Sequence, residues 1–106
     1  MKPNEVGKAV EEKGQLYSHT VFTAEIDWWQ KDGLNIGWSL AFNGNPTPDE
    51  AITAIKALCK QNGWLCTTEE QATSTVEAVS IDTGDASFTF YPEDIIKAAK
   101  TGYIET

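Results

Sequence analysis

The sequence predicts an α+β domain: an antiparallel four-stranded sheet with helices packed on one face, in the element order αββαββα. Three observations carry this. Residues 34–42 alternate without a break, Leu34, Ile36, Trp38, Leu40 and Phe42 against Asn35, Gly37, Ser39 and Ala41. A second alternating pair of segments lies at 75–82 and 88–91. After each pair comes a stretch opened by Pro and two carboxylates and closed by Gly, the punctuation of a helix. Side chains of a strand alternate between faces, so the period-two runs describe sheets with one apolar and one polar face.

In order along the chain, residues 1–14 hold Pro3, Glu5, then Val6, Ala9 and Val10 at helical spacing, and end at Gly14, which predicts a short first helix. Residues 16–29 read as one strand, with Phe22, Ala24, Ile26 and Trp28 on one face and Val21, Thr23, Glu25, Asp27 and Trp29 on the other. Asp32-Gly33 supplies the positive φ of a tight reversal into 34–42. Asn43-Gly44-Asn45-Pro46 ends that strand. Thr47 is then a helix N-cap, Pro48 fits the first turn, and Glu50 reaches back to the cap from three residues on. Ala51, Ile52, Ile55, Leu58 and Cys59 form the apolar stripe of this helix, and Asn62-Gly63 closes it.

Residues 67–74 show no period and read as a loop or a single helical turn. The 75–82 and 88–91 segments form a hairpin turned at Thr83-Gly84-Asp85. Pro92-Glu93-Asp94 opens the last helix, with Ile95, Ile96 and Ala99 apolar, and Gly102 stops it before Tyr103 and Ile104 tuck back. The stretches 16–65 and 75–104 read either as one ββα unit used twice or as the shared grammar of any two hairpin–helix units.

At 106 residues the chain is long enough for one core and too short for two. Sixteen acidic residues face eight basic ones, for a net charge of −8, and every basic residue is Lys. Arg supplies the planar fork used on phosphates and base edges, so its absence together with the acidity argues against direct nucleic-acid binding. A basic protein surface is the partner such a charge fits, and acidity serves solubility as well. No signal, lipidation or spanning pattern is seen, and a soluble cytoplasmic protein without membrane attachment is expected. A disulfide between Cys59 and Cys66 is sterically conceivable, and free buried thiols are the commoner state of two cysteines in such a chain. With His19 the single His, no zinc-finger spacing exists, and no metal or cofactor is expected.

Glu25 and Asp27 lie two apart on a strand face, roughly 6 to 7 Å by strand rise. Such a pair suits acid/base or glycoside chemistry. A solvated strand face carries such residues routinely, however, and no catalytic residue is assigned. His19 reads on the same face, able to act as a base only if the strand bends. No Gly-x-Ser-x-Gly elbow and no Gly-rich phosphate loop is present. Trp28 and Trp29 must point to opposite faces. With Trp28 in the core, Trp29 joins Glu25, Asp27, Asn35 and Ser39 as an aromatic anchor with acidic flanks, unless the first helix or residues 67–74 cover it.

The expectation is therefore a non-enzymatic inhibitor or adaptor, a monomer or weak homodimer, that binds a basic protein or nucleoprotein through Glu25, Asp27, Trp29, Asp32, Asp49 and Glu50. Two kinds of biology use that physics. One is a phage or mobile-element anti-defence protein of the anti-CRISPR or DNA-mimic type; the other is an immunity protein or antitoxin neutralising a basic nuclease. A structural or virion accessory domain that self-associates through a sheet edge at 34–42 is the alternative.

Overall fold

The computed structural model describes residues 14–105. It replaces the expected single sheet with two antiparallel sheets. The order is β1 (Gln15–Val21), β2 (Ala24–Lys31), β3 (Leu34–Phe42), α1 (Pro48–Asn62), β4 (Leu65–Gln71), β5 (Ser74–Asp82), β6 (Ser87–Phe90), α2 (Pro92–Thr101) and β7 (Tyr103–Glu105). The first sheet runs β1-β2-β3-β7 and the second β4-β5-β6. Among the described residues there are thus seven strands and two helices, and the domain is mostly β. The helix expected within residues 1–14 falls outside the described residues, except for Gly14.

Two strands that the sequence hides account for the difference. Residues 16–29 are not one strand, because the chain reverses at Phe22-Thr23 and β1 pairs back on β2, with Val21 opposite Ala24 and Leu16 opposite Trp29. Residues 67–74, expected as a loop or helical turn, are most of β4, the reversal at Ala72-Thr73 and the start of β5, with Leu65 opposite Asp82. Neither turn contains Gly, Asn, Asp or Pro, the residues that ordinarily mark a reversal. Each hairpin consequently becomes a three-stranded meander. The short β7 then adds to the first sheet beside Ser39, Leu40 and Ala41.

The other elements form for the reasons their residues suggest. Thr47 Oγ1 accepts from the Glu50 N–H at 3.2 Å while Glu50 Oε1 accepts from the Thr47 N–H at 3.0 Å, a complete capping box on α1. Gly63, in the left-handed region at φ 70, ends that helix. Asp32 and Gly33, at φ 55 and 79, make the β2–β3 reversal, both with the positive φ that a tight hairpin turn takes. At the start of α2 the Asp94 carboxylate accepts from the Tyr91 N–H at 2.8 Å.

One core joins both sheets and both helices. Ile26, Leu40 and Phe42 of the first sheet meet Ile52, Ile55 and Leu58 of α1, Val79, Ile81, Phe88 and Phe90 of the second sheet, and Ile95 and Ala98 of α2. The sheets touch directly through aromatic rings, Trp28 against Phe88 at 5.5 Å and Trp38 edge-on to Phe90 at 4.7 Å. Burying each large aliphatic side chain contributes about 1.5 to 3 kcal/mol, so this shared interior holds the two sheets together. The alternating run of β3 feeds it only in part. Leu40 and Phe42 are buried, whereas Leu34 is 67% and Ile36 46% exposed. A bulge between Trp29 and Gln30 shifts the β2–β3 register just before these residues and re-aims the end of the hairpin.

Candidate functional site

The first sheet has a polar face built from three strands and β7. Glu25, Asp27 and Trp29 of β2 share it with Ser18 and Thr20 of β1, Ser39 and Ala41 of β3, and Tyr103 and Glu105 of β7, because directly paired residues lie on the same side. Asp27 is 3% exposed and lies between two hydroxyl donors, Ser18 Oγ to Oδ1 at 2.5 Å and Ser39 Oγ to Oδ2 at 3.3 Å. Burial pushes its carboxyl up to about 6 and the neighbouring Glu25 adds to the rise, while Ser18 and Ser39 hold it down. Beside it, Tyr103 Oη donates to Glu105 Oε2 at 2.7 Å, and burial together with that carboxylate pushes the phenol up. Glu25 is half-buried and accepts from Thr20 Oγ1 at 3.1 Å.

Trp29 is fully buried on this face, so it is not the exposed aromatic anchor that the alternation allowed. His19, expected beside Glu25 and Asp27, lies on the opposite side of the sheet. It pairs with Ile26, stacks on Trp28 at 5.0 Å and meets the Trp64 ring edge-on at 4.7 Å. Burial lowers its pKa, and among the described residues Nδ1 has no hydrogen-bond partner. A histidine in that position cannot take a proton for Glu25 or be oriented by it. Among the described residues no group of three or more His, Cys, Asp or Glu is arranged to hold a metal ion.

Of the exposed aromatic residues Tyr17, Phe22 and Tyr91, the most open to solvent is Phe22, which sequence reasoning placed on the apolar face of a long strand. It is 82% exposed and sits at φ 54 in the β1–β2 turn. That left-handed conformation is unfavourable for a bulky side chain, by about 1 to 2 kcal/mol. The turn is held where it is by the Asn43 N–H, which donates to the Thr23 carbonyl at 2.8 Å. A signal for it existed in the chain: a 14-residue strand exceeds the usual upper limit of ~10 residues, so a reversal was due somewhere in 16–29.

Phe22 separates two shallow concavities. One, of about 450 Å³, is lined by Thr23 and by Asp49, Glu50, Thr53 and Ala54 of α1. The other, of about 330 Å³, is lined by Thr20, Glu25, Ala41 and Asn43. Three of the six expected partner-binding carboxylates and aromatics therefore converge on one place: Glu25, Asp49 and Glu50 surround the exposed ring. Thr47 lowers the Glu50 carboxyl below its ordinary range, its N–H bond being the larger effect and its hydroxyl the smaller. Asp27 and Trp29 are buried in the sheet. Asp32 is exposed at the far end of β2, roughly 23 Å from Glu25 by strand rise, and does not join the cluster.

This arrangement is suited to recognition: an exposed ring projecting between carboxylates, on a turn whose backbone is tied to the end of β3 by the Asn43 N–H. No helix among the described residues is long and apolar enough to cross a membrane. Compared with protein-family models, with curated proteins and with solved structures, the chain matches none.

Proposed function

We propose that the protein is a non-enzymatic binding protein that docks on a basic protein surface, with Phe22 as the anchor and Glu25, Asp49 and Glu50 as its acidic rim. The observation that carries this reading is the strained, 82% exposed Phe22 between those carboxylates. A large apolar ring held in water by unfavourable backbone geometry is the kind of local cost that binding sites retain. Aromatic residues ringed by polar groups are also where interface energy concentrates. The net charge of −8 and the absence of Arg select the partner's sign, since carboxylates steer onto Lys- and Arg-rich grooves and repel nucleic acid. A groove that otherwise takes nucleic acid fits best, which is the surface blocked by an anti-defence inhibitor or by an immunity protein.

The test is comparative capture from the lysate of the cell in which the protein acts. Wild-type protein retains a basic partner, Phe22→Gly loses it, and Glu25→Lys with Glu50→Lys loses it most strongly at low salt. A retained partner that is acidic, or one held equally by all three proteins, overturns the reading.

A second reading rests on a different surface. Among the described residues β7 pairs with β3 only at Ser39 to Ala41, which leaves the N-terminal half of β3 an edge carrying the exposed Leu34 and Ile36. Such an edge supports pairing with a second copy. A mass by light scattering that doubles with concentration, and that Ile36→Lys returns to the monomer, would favour it.

A further inference from the structure

Both thiols of the chain line one concavity, of about 510 Å³, where the end of α1 meets the start of β4. Lys56, Lys60 and Trp64 line it with them. The helix cap explains the meeting. The Trp64 N–H donates to the Cys59 carbonyl at 2.9 Å as Gly63 reverses the chain, and Cys66, the second residue of β4, is carried back onto the last turn of α1. The two thiols are thus neighbours on the wall of one concavity, and both are reduced. Their environments differ. Cys59 is 1% exposed, whereas Cys66 is partly open to solvent and lies near the Lys56 ammonium.

We propose that Cys59 and Cys66 form a redox-active dithiol, oxidised by a low-molecular-weight disulfide, with Cys66 as the attacking thiolate and Cys59 as the resolving thiol. The Cys66 thiolate attacks one sulfur of the disulfide, the S–S bond breaks, and the first leaving thiolate takes up a proton. A mixed disulfide remains on Cys66. Cys59 then gives its proton to solvent and attacks the Cys66 sulfur, and the second small thiolate leaves and is protonated. Two protein thiols are oxidised to one disulfide, and the small disulfide is reduced to two thiols.

The division of roles follows from exposure, since Cys66 is reached from solvent beside Lys56 and Cys59 is not. The neighbouring Cys59 thiol, helped by the Lys56 charge and opposed by burial, brings the Cys66 thiol down to about 7, while Cys66 and burial drive Cys59 up. A lowered thiol pKa raises the thiolate fraction of Cys66 near neutral pH, which favours it as the attacking sulfur. The resulting bond would tie the end of α1 to the first strand of the second sheet.

The experiment treats the full chain with oxidised glutathione at pH 7 and reads intact mass and a tryptic map. The wild type loses about 2 Da and yields a Cys59–Cys66 cross-linked peptide with no lasting adduct. Cys59→Ser stops at one glutathione on Cys66, Cys66→Ser stays unmodified while folded, and Lys56→Gln reacts more slowly. A wild type that accumulates a stable glutathione adduct, or that reacts only when unfolded, overturns the proposal. That wild-type product decides the matter even where a serine variant fails to fold.

Discussion

Trp28 and Trp29, adjacent on β2, leave the sheet on opposite faces and are both buried, 4% and 0% exposed. The first sheet is therefore closed on both sides along β2. Trp28 stacks on Tyr17 and His19 and reaches Phe88 across the core, while Trp29 pairs with Gly37 on the other face. Both residues are assigned to stability, and the functional reading moves to the turn that precedes them. Trp29→Ala and Trp28→Ala are each expected to destabilise the fold by about 3 to 5 kcal/mol, measured by urea unfolding.

Phe22 gives the opposite expectation. Its side chain is almost wholly in water, so replacement by Gly gives up little burial and removes the left-handed strain, against the larger chain entropy of Gly. Phe22→Gly is expected to be as stable as the wild type or more so by about 0.5 to 1 kcal/mol, and to bind the proposed basic partner at least ~10-fold more weakly. Thermal unfolding and titration calorimetry on one pair of proteins read both effects. A loss of stability together with affinity would mean that Phe22 is structural.

Asp27 titrates with a sign that can be worked out. Its carboxyl is raised from 3.8 to about 6, so between those values the native protein binds more protons than the unfolded chain. Stability then falls as pH rises through that window, and the loss is complete above it. Asp27→Asn keeps the side-chain shape between Ser18 and Ser39 and is expected to remove the slope. Above pH 7 the variant should gain on the order of 2 kcal/mol. Urea unfolding of both proteins at pH 4.5 and pH 7.5 checks it; equal slopes would place the pH dependence elsewhere.

The elements that sequence reasoning reached are those with local chemistry to announce them: the Thr47–Glu50 capping box, the Asp32-Gly33 reversal, the turn at Thr83-Gly84-Asp85 and the stops at Gly63 and Gly102. The strands it missed are fixed by pairing across the sheet. Val21, Phe22, Thr23 and Ala24 contain no turn former, so β1 and β2 merged into one run, and one error followed another. In a continuous strand His19 shares a face with Glu25 and Asp27. Across the β1–β2 hairpin it pairs with Ile26 instead, which puts it on the opposite face and into the aromatic cluster. The same reversal turned Phe22 from a core residue into the exposed tip of the candidate site. Of that site, the carboxylates Glu25, Asp49 and Glu50 were readable, and the ring at its centre was not.

Edge pairing through β3 makes its own prediction. If Leu34 and Ile36 serve a second copy, Ile36→Lys lowers the mass seen by light scattering at high concentration and leaves partner capture unchanged. If the protein is monomeric, Ile36→Lys changes neither, and its solubility rises because an exposed apolar edge has gained a charge.

The most direct test of the central claim is photocrosslinking from position 22. A benzoyl-phenylalanine placed there in the otherwise unchanged protein should crosslink to a Lys- or Arg-rich segment of the bound partner, in a yield that falls with salt, while the same probe at position 34 should not. Crosslinks from position 34 with none from position 22, or crosslinks from 22 to an acidic or uncharged segment, would contradict the assignment of the Phe22 turn and its carboxylates as the binding site.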